Sequence, residues 1–125
     1  MIDQKELLDY KIELALSKVQ LNKLPHSKIV VIAEALENYI VYLANAPKTM
    51  LEKHYLITAV LLYDKKFTTL INCRLPRKTT TLKLYSNEAD TLFQAFKHYQ
   101  NQLHSTNQHF AIIENLKMAL YSQIA

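Results

Sequence analysis

The sequence predicts an α+β domain, mainly helical, with three helices, a basic β-hairpin and then a C-terminal antiparallel helical hairpin. Its 125 residues suit a single compact domain, residues 1–125. Apolar residues recur every three or four positions over most of the chain, which is typical of amphipathic helices. Between about residues 67 and 85 the spacing changes to two, which is typical of strands. Half of the residues are hydrophobic and 21% are charged, a globular composition.

The first predicted helix covers residues 3–22. Leu7, Ile12 and Val19 belong to an apolar set at helical spacing, with acidic and lysine residues between them. A proline follows at position 25, and the residue before a proline disfavours helical geometry. We therefore expect this helix to end near Asn22.

The second and third predicted helices are apolar on most of their faces. Ser27 is a plausible N-cap for a helix from about Lys28 to Ala46. The run Thr49-Met50-Leu51-Glu52 matches a capping box, which predicts a helix from about Met50 to Tyr63. Helices of this kind are either central in the fold or part of an oligomer interface.

A β-hairpin is predicted next. The first strand, from Phe67 to Leu75, places Ile71 and Cys73 on one apolar face, although Leu70 breaks the alternation. The second strand runs from Thr79 to Tyr85, and Pro76-Arg77-Lys78 connects the two. Because the turn lacks glycine, we expect a loop longer than two residues.

Two helices complete the prediction. Ser86 or Asn87 would cap the fourth helix, with Glu88 in its first turn. The run Ser105-Thr106-Asn107-Gln108 reads as a second capping box and predicts a fifth helix that continues to the C-terminus. The loop between them is short and polar, which predicts an antiparallel pair.

Several classes of site are excluded by composition. The sequence contains no glycine, so it cannot form dinucleotide fingerprints, P-loops, nucleophile elbows or EF-hand loops. Its one cysteine excludes an internal disulfide, and Cys73, on the apolar face of a predicted strand, is expected to be buried and unreactive. No two of the five histidines have helical metal-site spacing. We expect no enzymatic activity, cofactor, metal or small-molecule substrate.

Positive charge is concentrated in one segment. Residues 65–85 carry six basic residues and no acid, whereas the whole chain is only +4, so the rest of the chain is net negative. These residues could contact the phosphates of nucleic acid, an acidic protein surface, or only solvent as a protected sheet edge. The candidate binding residues are Lys65, Lys66, Arg74, Arg77, Lys78 and Lys83.

Self-association is the second expectation. Eight tyrosines supply large side chains with a polar tip, which suit interfaces. Two helices that are apolar on nearly all sides would be hard to cover in 125 residues, so a homo-oligomer is expected. The N-terminus lacks the apolar segment of a signal peptide, and the longest apolar stretch, Tyr55 to Tyr63, is too short to cross a membrane. We therefore expect a cytoplasmic protein without membrane contact.

The function predicted from these features is that of a non-enzymatic interaction protein. It would self-associate through apolar helices and bind a macromolecular partner through the basic hairpin. Small proteins without motifs are frequent among the accessory and inhibitor proteins of phages and mobile elements, and this class is the one expected here. The alternative is a nucleic-acid-binding accessory protein whose basic hairpin contacts phosphates.

Overall fold

The computed structural model describes residues 18–45, 49–73 and 78–124, with Lys18 and Ile124 described by their backbone alone. Most of these residues are helical, and the class α+β, mainly helical, is confirmed. The elements are β1 (Lys18–Leu24), α1 (His26–Asn45), α2 (Met50–Leu62), a π-helical turn (Tyr63–Phe67), α3 (Thr68–Ile71), β2 (Thr80–Tyr85), α4 (Ser86–Gln102) and α5 (Gln108–Ile124).

The prediction of a helix over residues 3–22 is wrong at its C-terminal end. Residues 18–24 form β1, whereas residues 3–17 lie outside the described residues. Val19 and Leu21 are both buried, and they pair with Leu84 and Leu82 of β2 in an antiparallel ladder. Alternate residues of a strand share a face, so this pairing buries both side chains together. Tertiary pairing has therefore overridden a helical periodicity that these residues also satisfy.

A β-bulge interrupts the same strand. Leu21 pairs with Leu82, but the next pair is Leu24 with Thr80, so β1 has one more residue than β2 in this interval. Lys23 has a φ of 52°, in the left-handed region that non-glycine residues seldom occupy. Because the chain has no glycine to place there, a lysine adopts this conformation.

The predicted hairpin is also wrong in its first strand. The segment expected to be extended from Phe67 continues α2 as the π-helical turn and α3, and Phe67 is fully buried. Phe67, Leu70 and Ile71 have the spacing of one helix face, so Leu70, which breaks a strand alternation, fits a helix. The second predicted strand is confirmed as β2, but its partner is β1. The predicted connection falls mainly in residues 74–77, which lie outside the described residues.

The core forms between the inner face of the sheet and the helices. Helix α1 is central, because it packs against α2, α4, α5 and β1. Eight of its side chains are buried, and Ile32 and Leu36 have no exposed surface. From the other elements, the largest fully buried side chains are Leu62, Phe67, Leu84, Leu92, Phe96, Ile113 and Leu120.

The C-terminal helical pair is antiparallel, as predicted. Phe93 near the start of α4 contacts Tyr121 near the end of α5, with ring centroids 6.1 Å apart. Further along, Gln100 hydrogen-bonds to Glu114 and accepts a bond of 2.6 Å from Lys117. The Lys117 ammonium also lies 3.1 Å from the Glu114 carboxylate, and the bonds from Gln100 and Lys117 hold the pKa of the Glu114 carboxyl below its ordinary value.

The observed helix caps agree only in part with those predicted from the sequence. Thr49 caps α2 as predicted, because its hydroxyl accepts a 3.0 Å bond from the Glu52 amide. Helix α4 begins one residue after Tyr85, whose amide donates a 2.9 Å bond to the Glu88 carboxylate. In α5 the side chain of Asn107 accepts a 2.8 Å bond from the His109 amide, so the cap lies two residues beyond Ser105.

The described helices include α1, which has 20 residues. None of these helices combines the length and the apolar character needed to cross a bilayer.

Candidate interaction surfaces

The basic residues predicted as a binding site do not share one hairpin. Lys65 and Lys66 lie on the π-helical turn, Lys78 precedes β2, and Lys83 is on the outer face of β2. Lys65, Lys78 and Lys83 are exposed, whereas Lys66 is half-buried. Arg74 and Arg77 lie outside the described residues. The structure nevertheless brings the π-helical turn against β2, so Lys66 and Lys83 are neighbours.

Lys66 is held by contacts within the chain. Its ammonium group donates a hydrogen bond to the backbone carbonyl of Lys83 and lies 3.7 Å from the Glu88 carboxylate. It also lies 6.0 Å from the centre of the Tyr85 ring. Because Glu88 offsets its charge, Lys66 is less available to a partner than Lys65, Lys78 and Lys83.

Side chains also cover parts of both edges of the sheet. The amide group of Gln123, on α5, accepts a 2.9 Å bond from the Gln20 amide and donates a 2.7 Å bond to the Gln20 carbonyl. Gln20 lies opposite Lys83 in the ladder, and the backbone N–H and C=O groups of both residues point toward the outer edges of the sheet. At the outer edge of β2, the Lys66 ammonium group donates its hydrogen bond to the Lys83 carbonyl. Covered edges of this kind oppose strand addition by another chain.

Half of the large hydrophobic side chains that are exposed in the described part of the chain lie on α2. Met50 is 81% exposed, Ile57 60% and Leu61 49%, although all three are hydrophobic. They lie on one side of the helix, since their spacing corresponds closely to whole turns. Together with Val60 they form what we call the α2 stripe, which consists of Met50, Ile57, Val60 and Leu61. Leu51 is also exposed, but its spacing places it on the side of Thr58 and Leu62.

The opposite face of α2 is anchored in the fold. Thr58, Ala59 and Leu62 are buried, and the Tyr55 hydroxyl donates a 2.8 Å hydrogen bond to the Asp90 carboxylate on α4. Burial, together with this bond to Asp90, raises the pKa of Tyr55 to about 12. The orientation of α2 is therefore fixed from the inside, and the fold leaves the stripe facing solvent.

A groove of about 240 Å³ adjoins the C-terminal end of the stripe. Its apolar lining comes from Ile40 on α1 and from Val60 and Tyr63. Glu37 and Asp64 complete the lining, so the groove has an acidic rim. Burial raises the pKa of the Tyr63 hydroxyl, and the two carboxylates raise it further.

The tyrosines contribute less to this surface than the sequence suggested. Tyr42 is half-exposed on α1, but its ring contacts that of His98 on α4, with ring centroids 4.3 Å apart and the planes tilted by 32°. Tyr39 is buried beside the same histidine, at 5.6 Å. Burial lowers the pKa of His98. These rings join α1 to α4, so Tyr39 and Tyr42 contribute to the packing of the fold.

A polar cluster connects three of the helices. The Tyr99 hydroxyl lies 3.4 Å from the Glu34 carboxylate and 3.4 Å from His109 Nδ1, beside a shallow surface depression. These contacts join α1, α4 and α5. Cys73, expected to be buried in a strand, is exposed after α3 instead. In the part of the chain that the structure describes, no group of three or more His, Cys, Asp or Glu side chains could hold a metal ion.

Comparisons with protein-family models, with curated proteins and with solved structures found no match.

The α2 stripe was not identified residue by residue from the sequence. The available signal was that residues 50–63 are apolar on most faces, which indicated either a central helix or an interface. Which of these faces would be covered depends on the neighbouring elements, and the sequence pattern does not contain that information.

Proposed function

We propose that this protein is a non-enzymatic interaction protein that self-associates through the α2 stripe. The supporting observation is that four large apolar side chains, those of the stripe, are exposed along one helix whose opposite face is anchored in the core. Contiguous apolar surface of this kind is typical of protein interaction sites. Removing it from water contributes about 25 cal/mol for each Å² of apolar surface.

A second copy of the chain is the partner that this surface fits most simply. A symmetric dimer pairs the same patch on both subunits, so an apolar stripe meets an apolar stripe. Met50, at the most exposed position, has a flexible side chain that adapts to a neighbouring surface. The charged residues beside the stripe, Lys53 and Asp64, would lie at the polar rim of such an interface.

The test is sedimentation velocity over a range of protein concentrations. We expect the wild-type chain to dimerise as its concentration rises, and the variant Ile57→Lys to remain monomeric, because a lysine in the centre of the stripe would have to be desolvated. Met118→Lys is the matched control, since Met118 is 54% exposed on α5, a different helix. A wild-type chain that stays monomeric at every concentration would falsify the proposal. Equal weakening by both substitutions would also contradict it.

The second part of the proposal is that the exposed lysines contact an acidic macromolecular partner. Lys65, Lys78 and Lys83 are exposed, and Lys83 lies on the outer face of the sheet. An acidic protein surface is the first candidate, and nucleic acid is the alternative, in which these residues would contact phosphates without reading the bases.

Fluorescence anisotropy of short labelled DNA and RNA at 50 and 200 mM salt separates these two partners. If the three exposed lysines each neutralise a phosphate, affinity falls by about 40-fold between the two salt concentrations. Lys65→Glu/Lys83→Glu should abolish the binding, whereas Lys28→Glu/Lys97→Glu, with the same change of charge elsewhere, should retain most of it. No binding at either salt concentration would eliminate nucleic acid and leave the acidic protein surface as the partner class.

A further inference from the structure

We infer that two copies of the chain pair through α2 in an antiparallel orientation, with Lys53 of each copy opposite Asp64 of the other. This inference rests on the proposed self-association and adds its geometry. It follows from the order of the charges at the two ends of the α2 stripe.

An acid followed by a base stands at each end of the stripe. Glu52 and Lys53 lie in the first turn of α2, and Asp64 and Lys65 lie just beyond its last residue. Lys53, Asp64 and Lys65 are exposed, and Glu52 is half-buried, with its carboxylate 3.1 Å from the Thr49 hydroxyl. Lys53 and Asp64 have the helical spacing that places them beside Ile57 and Val60, so they border the surface that self-association would cover, whereas Glu52 lies on the other side of α2.

The orientation of the two helices decides which charges meet. In a parallel pair about a twofold axis, each residue lies near its own copy, so Lys53 meets Lys53 and Asp64 meets Asp64. In an antiparallel pair the order is reversed, so one register places Lys53 of each copy opposite Asp64 of the other. Opposite charges at neighbouring positions stabilise, and like charges destabilise by a similar amount. The charge pattern therefore favours the antiparallel pair.

The two central apolar residues fit the same register. With Lys53 opposite Asp64, Ile57 of one copy lies opposite Val60 of the other, so the centre of the interface is aliphatic. Such an arrangement has an apolar centre and a charged rim, which is the usual composition of a specific interface.

The groove at the end of the stripe also fits this arrangement. In the antiparallel register, Lys53 and His54 of the second copy come over Tyr63 and Asp64. The groove there has an acidic rim formed by Glu37 and Asp64, and Lys65 does not line it. A basic end of one helix would thus meet an acidic groove of the other.

A charge-swap cycle tests the orientation by sedimentation equilibrium of the full chain. Lys53→Glu and Asp64→Lys should each weaken the dimer on the order of tenfold, because each creates two like-charged contacts per symmetric dimer. The double variant Lys53→Glu/Asp64→Lys should return the dissociation constant to within about threefold of the wild-type value, since both contacts become attractive again. Lys97→Glu, which makes the same change of charge on α4, should have little effect.

The outcomes separate the orientation from self-association itself. In a parallel dimer the single variants exchange one like-charged pair for another, so neither they nor the double variant would show this loss and recovery. A wild-type dimer whose single variants are unchanged, or whose double variant is as weak as the singles, overturns the antiparallel pairing and leaves self-association standing. A wild-type chain that never dimerises overturns both.

Discussion

Helices α1 and α2 are neighbours in the sequence, pack against each other and are both strongly apolar, yet they are buried to very different extents. Helix α1 buries eight side chains, because α2, α4, α5 and β1 surround it. Helix α2 buries three, and five of its large apolar side chains face solvent. The comparison teaches that apolar composition sets which residues could be buried, whereas the position of a helix among its neighbours sets which ones are.

The largest expected effect concerns matched leucines on the two helices. Leu36→Ala on α1 should lower the free energy of unfolding by about 3 kcal/mol, because it leaves a cavity in a fully buried site. Leu61→Ala on α2 should cost less than about 0.5 kcal/mol in the monomer, since that side chain is half-exposed. Urea unfolding at a concentration low enough to keep the chain monomeric measures both values. Equal losses of unfolding free energy in the two variants would show that the two helices do not differ in how much their leucines contribute to stability.

A smaller effect is expected at the contact that orients α2. Tyr55→Phe removes the hydrogen bond to Asp90 and should lower the free energy of unfolding by about 1 kcal/mol. Tyr121→Phe is a suitable control, because it keeps the ring contact with Phe93 and the residue is exposed. The same urea titrations report both changes. If Tyr55→Phe costs no more than the control, the hydroxyl bond does not fix the orientation of α2.

The smallest effect is a pH dependence at the contact between α1 and α4. Burial lowers the pKa of His98 from its ordinary value of 6.5, so the unfolded chain binds a proton at a higher pH than the folded chain. The contribution of His98 to stability is therefore complete above pH 6.5 and is lost as the pH falls from 6.5 to the folded-state pKa.

The measurement compares unfolding midpoints in urea at pH 7.5 and 5.5. The wild-type chain should lose more stability between these values than His98→Asn does, whereas His54→Asn, at an exposed histidine, should behave like the wild-type chain. An identical loss of stability in all three chains would show that burial of His98 does not contribute to the pH dependence of stability.

Local chemistry determined much of this fold from the sequence. The four long helical segments were predicted where α1, α2, α4 and α5 occur, because apolar periodicity and caps such as Thr49 act within a few residues of each other. The strand ending at Tyr85 was predicted for the same reason, since its alternation is local. The α+β class followed from these elements.

Tertiary structure decided the remainder. Val19 and Leu21 satisfy both helical and extended patterns, and their pairing with β2, far along the chain, selects the strand. The spacing of Phe67 and Ile71 also fits either a strand or a helix, and the burial of Phe67 in a continuation of α2 selects the helix. The α2 stripe belongs to the same category. Its residues are apolar by sequence, but their exposure results from packing between distant segments, which a local pattern does not encode.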